Sequence, residues 1–390
     1  MKPIRLFLFS AAALASACGP RHTVVATFSG FTNDTVILQT RPLGQYASTS
    51  LKPDLRTDTL LLDSKRRIAV DLNVTEPMVS TLMPMEYSEA GIPLAGGSFT
   101  FIIEPGQRLE FGLNAQDGWL EISAADGSEP NRDLAQYANS WNPAGAEMGR
   151  LQAEMIRCSQ QKVPVSGRIQ QDYQASVQRA REVNETYIAT HLDRPATVLV
   201  LSQNGSATAE RYFDSLQPEI RNSIFRPVVE QIELQLEGMR VRREAAEYIK
   251  PGAEAPDFTL PDTEGNLFRL SSLRGKYVVL DFWGSWCIWC IRGFPELKRC
   301  YETYEGKLEV VGIDCSDSRE KWLEAVEQHK LPWINVLDTR ERRPAETIDN
   351  RYGINAYPTK ILIDPEGRIV EVFVGERPGF SERLARELKR

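Results

Sequence analysis

Two cysteines three residues apart, Cys287 and Cys290, stand where two dissimilar stretches meet. Before them runs Val278–Trp283, apolar and rich in β-branched and aromatic residues, as a buried strand is. Gly284 and Ser285 punctuate it, and an amphipathic segment follows to about Tyr304. Residues three apart on a first helical turn have Cα atoms about 5 to 6 Å apart, within the reach of a disulfide. The first cysteine then sits at a helix N-terminus, where unpaired N–H groups and the positive dipole end favour thiolate. The second, one turn further in and more buried, is placed to attack a mixed disulfide from the protein side. The chemistry expected is thiol–disulfide exchange, with Cys287 attacking and Cys290 resolving.

Two other uses of such a pair compete. Zinc wants four ligands at recognisable spacings, but no second CxxC exists and the only histidines are His22, His191 and His329. No metal or other cofactor is therefore expected. A purely structural disulfide is the other reading. The strand-to-helix junction favours redox use over both.

The elements that must position this pair are embedded in a long chain. Its 390 residues are too many for one ordinary core, so two or three domains are expected. The composition, 42% hydrophobic and 25% charged with net charge −7, is that of a globular protein without the electrostatic footprint of nucleic-acid binding. Residues 19–130 carry short alternating runs separated by turn dipeptides, which predicts an all-β, sandwich-like antiparallel domain. Residues 131–249 read as an α-helical middle region. One helix starts at Asn131-Arg132-Asp133, further stretches run from Ala146 to Gln160 and from Arg168 to His191, and Val228–Tyr248 reads as a surface or spacer helix. Pro251-Gly252 ends it, and residues 250–390 alternate strands and helices, an α/β sheet covered on both faces.

The first 17 residues resemble an export signal: Lys2 and Arg5 lead, Leu6–Leu14 is apolar, and Ala15-Ser16-Ala17 offers small residues for cleavage. Cys18 follows, where a lipoprotein would carry its lipid; simple secretion with the same cut is the plainer alternative. Export places the chain in the cell envelope, facing the periplasm, held to the membrane by lipid if Cys18 is acylated. In that oxidising compartment Cys158, Cys300 and Cys315 read as free thiols, with a Cys300–Cys315 bridge as the lesser possibility.

The run GAEAPDFTLPDTEGNLFRLSSLRGKYVVLDFWGSWCIWC, with LEVVGIDCSD, LPWINV and YPTKILIDPEGRIV, resembles the thioredoxin superfamily in its TlpA/ResA-like branch of envelope-facing thiol–disulfide oxidoreductases. FIIEPGQRLEFG and ISAADGSEPNRDLAQYA resemble the β-rich domain that precedes such domains in Bacteroidota lipoproteins. The first resemblance implies a thioredoxin-like fold for residues 250–390. It also implies a cis Pro358 facing the CxxC, with Tyr357 and Thr359 beside it to meet an extended substrate. Asp281 stands where thioredoxins proper keep a buried aspartate, which implies a carboxylate able to trade protons with Cys290; an aspartate satisfied by backbone donors near the strand end is the alternative. Two departures stand out: Ile288-Trp289 lies between the cysteines, and Gly293 replaces the glutamate usual three residues after the second. Trp286 and Trp289 read as an apolar platform for a partner, whereas Arg292 and Lys360 read as solvated surface charges.

The function implied is reduction or isomerisation of disulfides in exported proteins, with an unidentified thiol partner resetting the pair. Two other classes remain: a thiol peroxidase, against which Gly284 replaces that class's threonine, and a non-enzymatic binding protein with a passenger thioredoxin fold.

Overall fold

The structure, a computed structural model, describes residues 23–46, 55–85, 97–116, 118–339, 343–376 and 379–388. The export segment and Cys18 lie outside the described residues. The chain divides into two compact units, Met1–Pro42 with Leu55–Tyr187, and Leu43–Asp54 with Ile188–Arg390. No helix among the described residues is long and apolar enough to cross a membrane.

The first unit contains β1 (Val24–Ser29), β2 (Thr35–Pro42), β3 (Arg56–Leu61), β4 (Arg67–Val70), β5 (Met78–Pro84), β6 (Phe99–Ile103), β7 (Leu109–Gln116) and β8 (Trp119–Asp126). They form two four-stranded sheets, ordered β4-β1-β7-β8 and β3-β2-β5-β6. Alternation turns Val24, Ala26 and Phe28 of β1 inward. The inner faces meet where Phe99 and Phe101 pack on Phe111, with ring centroids 5.1 and 4.7 Å apart. This is the expected β sandwich with two differences. Strand β5 escapes the period-2 pattern because Val79 and Ser80 are both buried. Strands β1 and β7 pair in parallel rather than antiparallel, the intervening strands serving as the long crossover such a pair requires.

Helix α1 (Glu129–Gln160) joins two stretches read separately in the sequence, continuing without a break past Pro143. It supplies amides to both sheet edges. Asn131 accepts the Ile102 N–H at 2.7 Å and donates to the Ile102 carbonyl at 2.8 Å. Asn139 does the same for Ile122 at 2.7 and 2.9 Å, and Asn142 donates to the Leu120 carbonyl at 2.6 Å. These side chains stand in for a missing neighbouring strand and close β6 and β8 to further pairing. Helix α2 (Gly167–Thr190) follows.

The second unit opens with α3 (Ala196–Gln203), α4 (Gly205–Tyr212), α5 (Pro218–Arg221) and α6 (Arg226–Tyr248), then a hairpin of β9 (Thr259–Pro261) and β10 (Leu267–Arg269). A five-stranded sheet follows, built from β11 (Tyr277–Trp283), β12 (Leu308–Cys315), β13 (Ile334–Asp338), β14 (Thr359–Ile363) and β15 (Ile369–Val374) in the order β13-β12-β11-β14-β15. Its helices are α7 (Ile288–Thr303), α8 (Arg319–His329), α9 (Ile348–Arg351) and α10 (Phe380–Leu388). This is the thioredoxin-like α/β fold that the resemblance implied.

Both faces are covered. Val279 and Trp283 of β11 join a core with Phe294 and Leu297 of α7, while Val278, Leu280 and Phe282 join a second core with Phe258 and Tyr352. Cys300 belongs to the first core and Cys315 to the second, so the sheet separates them; both are free, as is Cys158. Helix α6 is not a spacer. Val228, Val229, Ile232 and Ala245 are buried, and Arg242 hydrogen-bonds to Asn350 of α9. Gly238 permits that approach: a Cβ there would stand 3.3 Å from Pro344 and from the Asn350 amide. Most of the charges that suggested a solvated helix, such as Glu230, Arg240 and Arg243, occupy its outer side, while Arg242 faces α9.

Candidate active site

The central position of β11, with partners on both sides, buries Val278 through Trp283. The chain then turns at Gly284 and Ser285 and is held there. The Ser285 N–H donates to Asp317 at 2.6 Å and its hydroxyl donates to the other carboxylate oxygen at 2.9 Å. Asp317 lies just past β12, and its own N–H donates to Asp314 at 3.1 Å. Burial, reinforced by the adjoining Asp317, pushes the Asp314 carboxyl up to about 9, so it is neutral at pH 7. The clamp sits two residues before Cys287.

Cys287 is the N-cap residue of α7, and its sulfur accepts the Cys290 N–H at 3.2 Å. The two cysteines are bonded, with Cα atoms 5.3 Å apart, within the expected interval. Both cysteines are buried, Cys287 at 6% exposed slightly less so than Cys290 at 2%. Around them stand three large side chains about half exposed, Trp286 at 48%, Ile288 at 56% and Trp289 at 57%. Arg292 is exposed as expected and places its guanidinium 4.7 Å from the Trp289 ring centre.

The Tyr357–Pro358 peptide is cis, and the Tyr357 ring meets Trp286 edge-on at 5.1 Å. The loop thus lies beside the CxxC turn. The Tyr357 hydroxyl donates to Asp349 at 3.0 Å, and the Pro358 carbonyl accepts the Gly375 N–H at 2.8 Å. Thr359 is buried, and its hydroxyl donates to the Ala356 carbonyl at 2.8 Å.

Asp281 lies in step with Val279 and Trp283 along β11, so its side chain is on the α7 face of the sheet. It is 1% exposed, and among the described residues its Oδ1 has no hydrogen-bond partner. Lys360 is its direct partner across β11 and β14, with Nζ 3.9 Å from Oδ1. Burial raises the Asp281 carboxyl to about 6, Lys360 pulling it down and Glu376 pushing it up.

Lys360 is the correction to the sequence reading. It is 5% exposed, not solvated, and donates to Glu376 at 2.6 Å. Burial pulls its ammonium down, but Asp281 and Glu376 together hold it above the usual lysine value. A signal was present: Lys360 is the one charge in the run Thr359–Ile363, which is buried throughout. Asp317 and Glu376 carry no comparable local signal, since each acts on a residue distant in the chain.

Residues 251–372 match the AhpC/TSA family. The thiol-disulfide oxidoreductase ResA of Bacillus thuringiensis (strain Al Hakam) is 33% identical over 145 residues, covering 37% of this chain and 80% of that protein. ResA of Bacillus subtilis (strain 168) is 34% identical over 130 residues, 33% of this chain and 70% of its own length. Among solved structures, the thioredoxin domain of a thiol-disulfide oxidoreductase from Bacteroides vulgatus is 32% identical, covering 35% of this chain and 95% of that one, with a TM-score of 0.31. Through its C-terminal third the chain belongs to the ResA-like family of thiol–disulfide oxidoreductases.

Proposed function

We propose that the Cys287-Ile288-Trp289-Cys290 disulfide is the redox centre of a cell-envelope enzyme that reduces or isomerises disulfides of exported proteins. The observation that carries this reading is a sulfur capping a helix start, accepting the Cys290 N–H, inside a collar of half-exposed apolar side chains. A helix N-terminus favours the Cys287 thiolate, and the collar favours a protein partner over a small hydrophilic thiol. The AhpC/TSA family match does not favour the peroxidase alternative, because Gly284 brings no hydroxyl to the site.

In the reduced enzyme the Cys287 thiolate attacks one sulfur of the substrate disulfide, and the other substrate sulfur leaves as thiolate. Cys290 then gives its proton to Asp281 and attacks Cys287. The Cys287–Cys290 bond forms, the second substrate sulfur leaves, and both substrate thiolates take protons from water. Two electrons pass from the enzyme dithiol to the substrate, and an external thiol donor resets the pair. Trp286, Trp289 and Tyr357 supply the apolar contact. Pro358 offers no N–H to compete with the sulfurs, and Thr359 fixes the loop behind it. Lipid on Cys18 would hold the enzyme to the membrane.

Reduction of insulin disulfides by the pre-reduced protein tests this assignment. Cys287→Ser is expected to lower turnover at least roughly a thousandfold; unchanged turnover removes the assignment. In cells, Cys290→Ser should accumulate mixed disulfides whose partners name the clients.

A further inference from the structure

We infer that Glu376 is a positioning residue of the exchange reaction: through Lys360 it sets the pH at which Asp281 accepts the Cys290 proton. This deepens the exchange chemistry proposed above and rests on it.

The geometry begins at Gly293. It follows Cys290 by three residues on α7 and therefore lies on the same face, one turn further along. Any side chain at 293 would overlap the Glu376 carboxylate. A glycine inside a helix is costly, and here the space it leaves is filled by an acid arriving from the end of β15. That acid holds Lys360 at 2.6 Å, and Lys360 stands 3.9 Å from Asp281. Side-chain exposure rises along the row from 2% at Asp281 through 7% at Lys360 to 25% at Glu376. A row of acid, base and acid thus runs from the buried strand toward water, its outer end against α7 one turn past the second cysteine.

Few other groups act on it. Strand β12 brings only Gly312 opposite Asp281. Helix α10 brings the Phe380 ring, whose centre is 5.8 Å from the Lys360 ammonium. Helix α7 brings Cys290 on the core side, and Glu296 acts on Lys360 through its charge. Lys360 and Glu376 are thus the charges that set the field at Asp281. They act with opposite sign, since a cation favours the ionised carboxylate and a second anion disfavours it.

Stopped-flow reaction of the reduced protein with Ellman's reagent separates the two sulfur steps. A first phase reports attack by Cys287, and a second, unimolecular phase reports resolution by Cys290. The second phase, followed from about pH 5 to about pH 9, should rise as Asp281 ionises. Glu376→Gln removes the anion, and its rising limb is expected roughly one pH unit lower. Lys360→Met removes the cation, and its limb is expected roughly one unit higher. Gly293→Ala, which displaces the Glu376 carboxylate, should shift the limb in the same direction as Glu376→Gln. Asp281→Asn should abolish the limb, and the first phase should keep its rate in all four variants. Limbs that stay in place, or move in the same direction for Glu376→Gln and Lys360→Met, overturn this inference alone if Asp281→Asn still abolishes the limb. A limb that survives Asp281→Asn overturns both this inference and the role given to Asp281 above. Loss of the second phase only in Cys290→Ser keeps the exchange mechanism itself intact.

Discussion

In the N-terminal unit the side chains that pair with sheet edges are amides: Asn131, Asn139 and Asn142 each answer backbone groups of β6 or β8. In the C-terminal unit the buried polar side chains beside the cysteines are acids and a lysine. Asp281 Oδ1 and Asp314 Oδ2 lack hydrogen-bond partners among the described residues. An amide satisfies its partners equally well at every pH, so the first arrangement holds a fold together. A buried carboxyl with an unused oxygen changes its charge within reach of neutral pH, so the second can move a proton. The polar interior of one unit holds neutral amides, and that of the other holds ionisable groups at a cost in stability.

That contrast can be broken or sharpened by substitution. The largest effect is expected from Asn131→Ala, which leaves the Ile102 N–H and carbonyl buried without partners. A loss of about 4 kcal/mol is expected in chemical denaturation, with unchanged thiol kinetics; a loss below about 1 kcal/mol would mean that the edge amides are ornamental.

Asp281→Asn should act in the opposite sense. The folded carboxyl titrates near 6, above its ordinary value, so ionised Asp281 opposes folding. The penalty is absent when folded and unfolded chains are both protonated, below about pH 4, grows as pH rises, and is complete above about pH 6. The variant is therefore expected to be more stable than the native protein by about 3 kcal/mol at pH 8, with the gain vanishing by pH 4. Denaturant midpoints at the two pH values check this, and a gain independent of pH would contradict it.

A smaller effect belongs to Asp317→Ala. Freeing Ser285 should cost about 2 kcal/mol and slow attack by Cys287 in the first phase with Ellman's reagent, because the turn loosens. Native kinetics in that variant would show that α7 alone holds the cysteine.

Trp289→Ala should hardly move stability, by less than about 0.5 kcal/mol. It should raise KM for insulin while leaving the reaction with Ellman's reagent as it was. Equal effects on both substrates would place Trp289 in the redox chemistry instead of in partner contact.

Much of the fold was legible in the chain. The run of strand, turn and helix around Cys287 follows from short-range composition, and so do the alternating elements of the last third. Seven of the N-terminal strands announce themselves by alternation. Strand β5 does not, because both of its faces are covered at the adjacent residues Val79 and Ser80. The parallel pairing of β1 with β7 and the unbroken course of α1 through Pro143 depend on what those elements pack against. The candidate site divides in the same way. Cys287, Cys290 and the buried Asp281 were placed by pattern and resemblance, whereas Lys360 was misread because lysine is usually solvated.

What the sequence by itself determined is the spacing of two sulfurs on one helical turn and the strand face shared by Asp281 and Trp283. Both follow from helix and strand geometry over a few residues. Only the tertiary structure decided that Lys360 is buried, that Asp317 holds Ser285, and that Glu376 fills the space left by Gly293. Charge in a protein interior is governed by desolvation and by the groups brought near it, and those are supplied by segments distant in the chain.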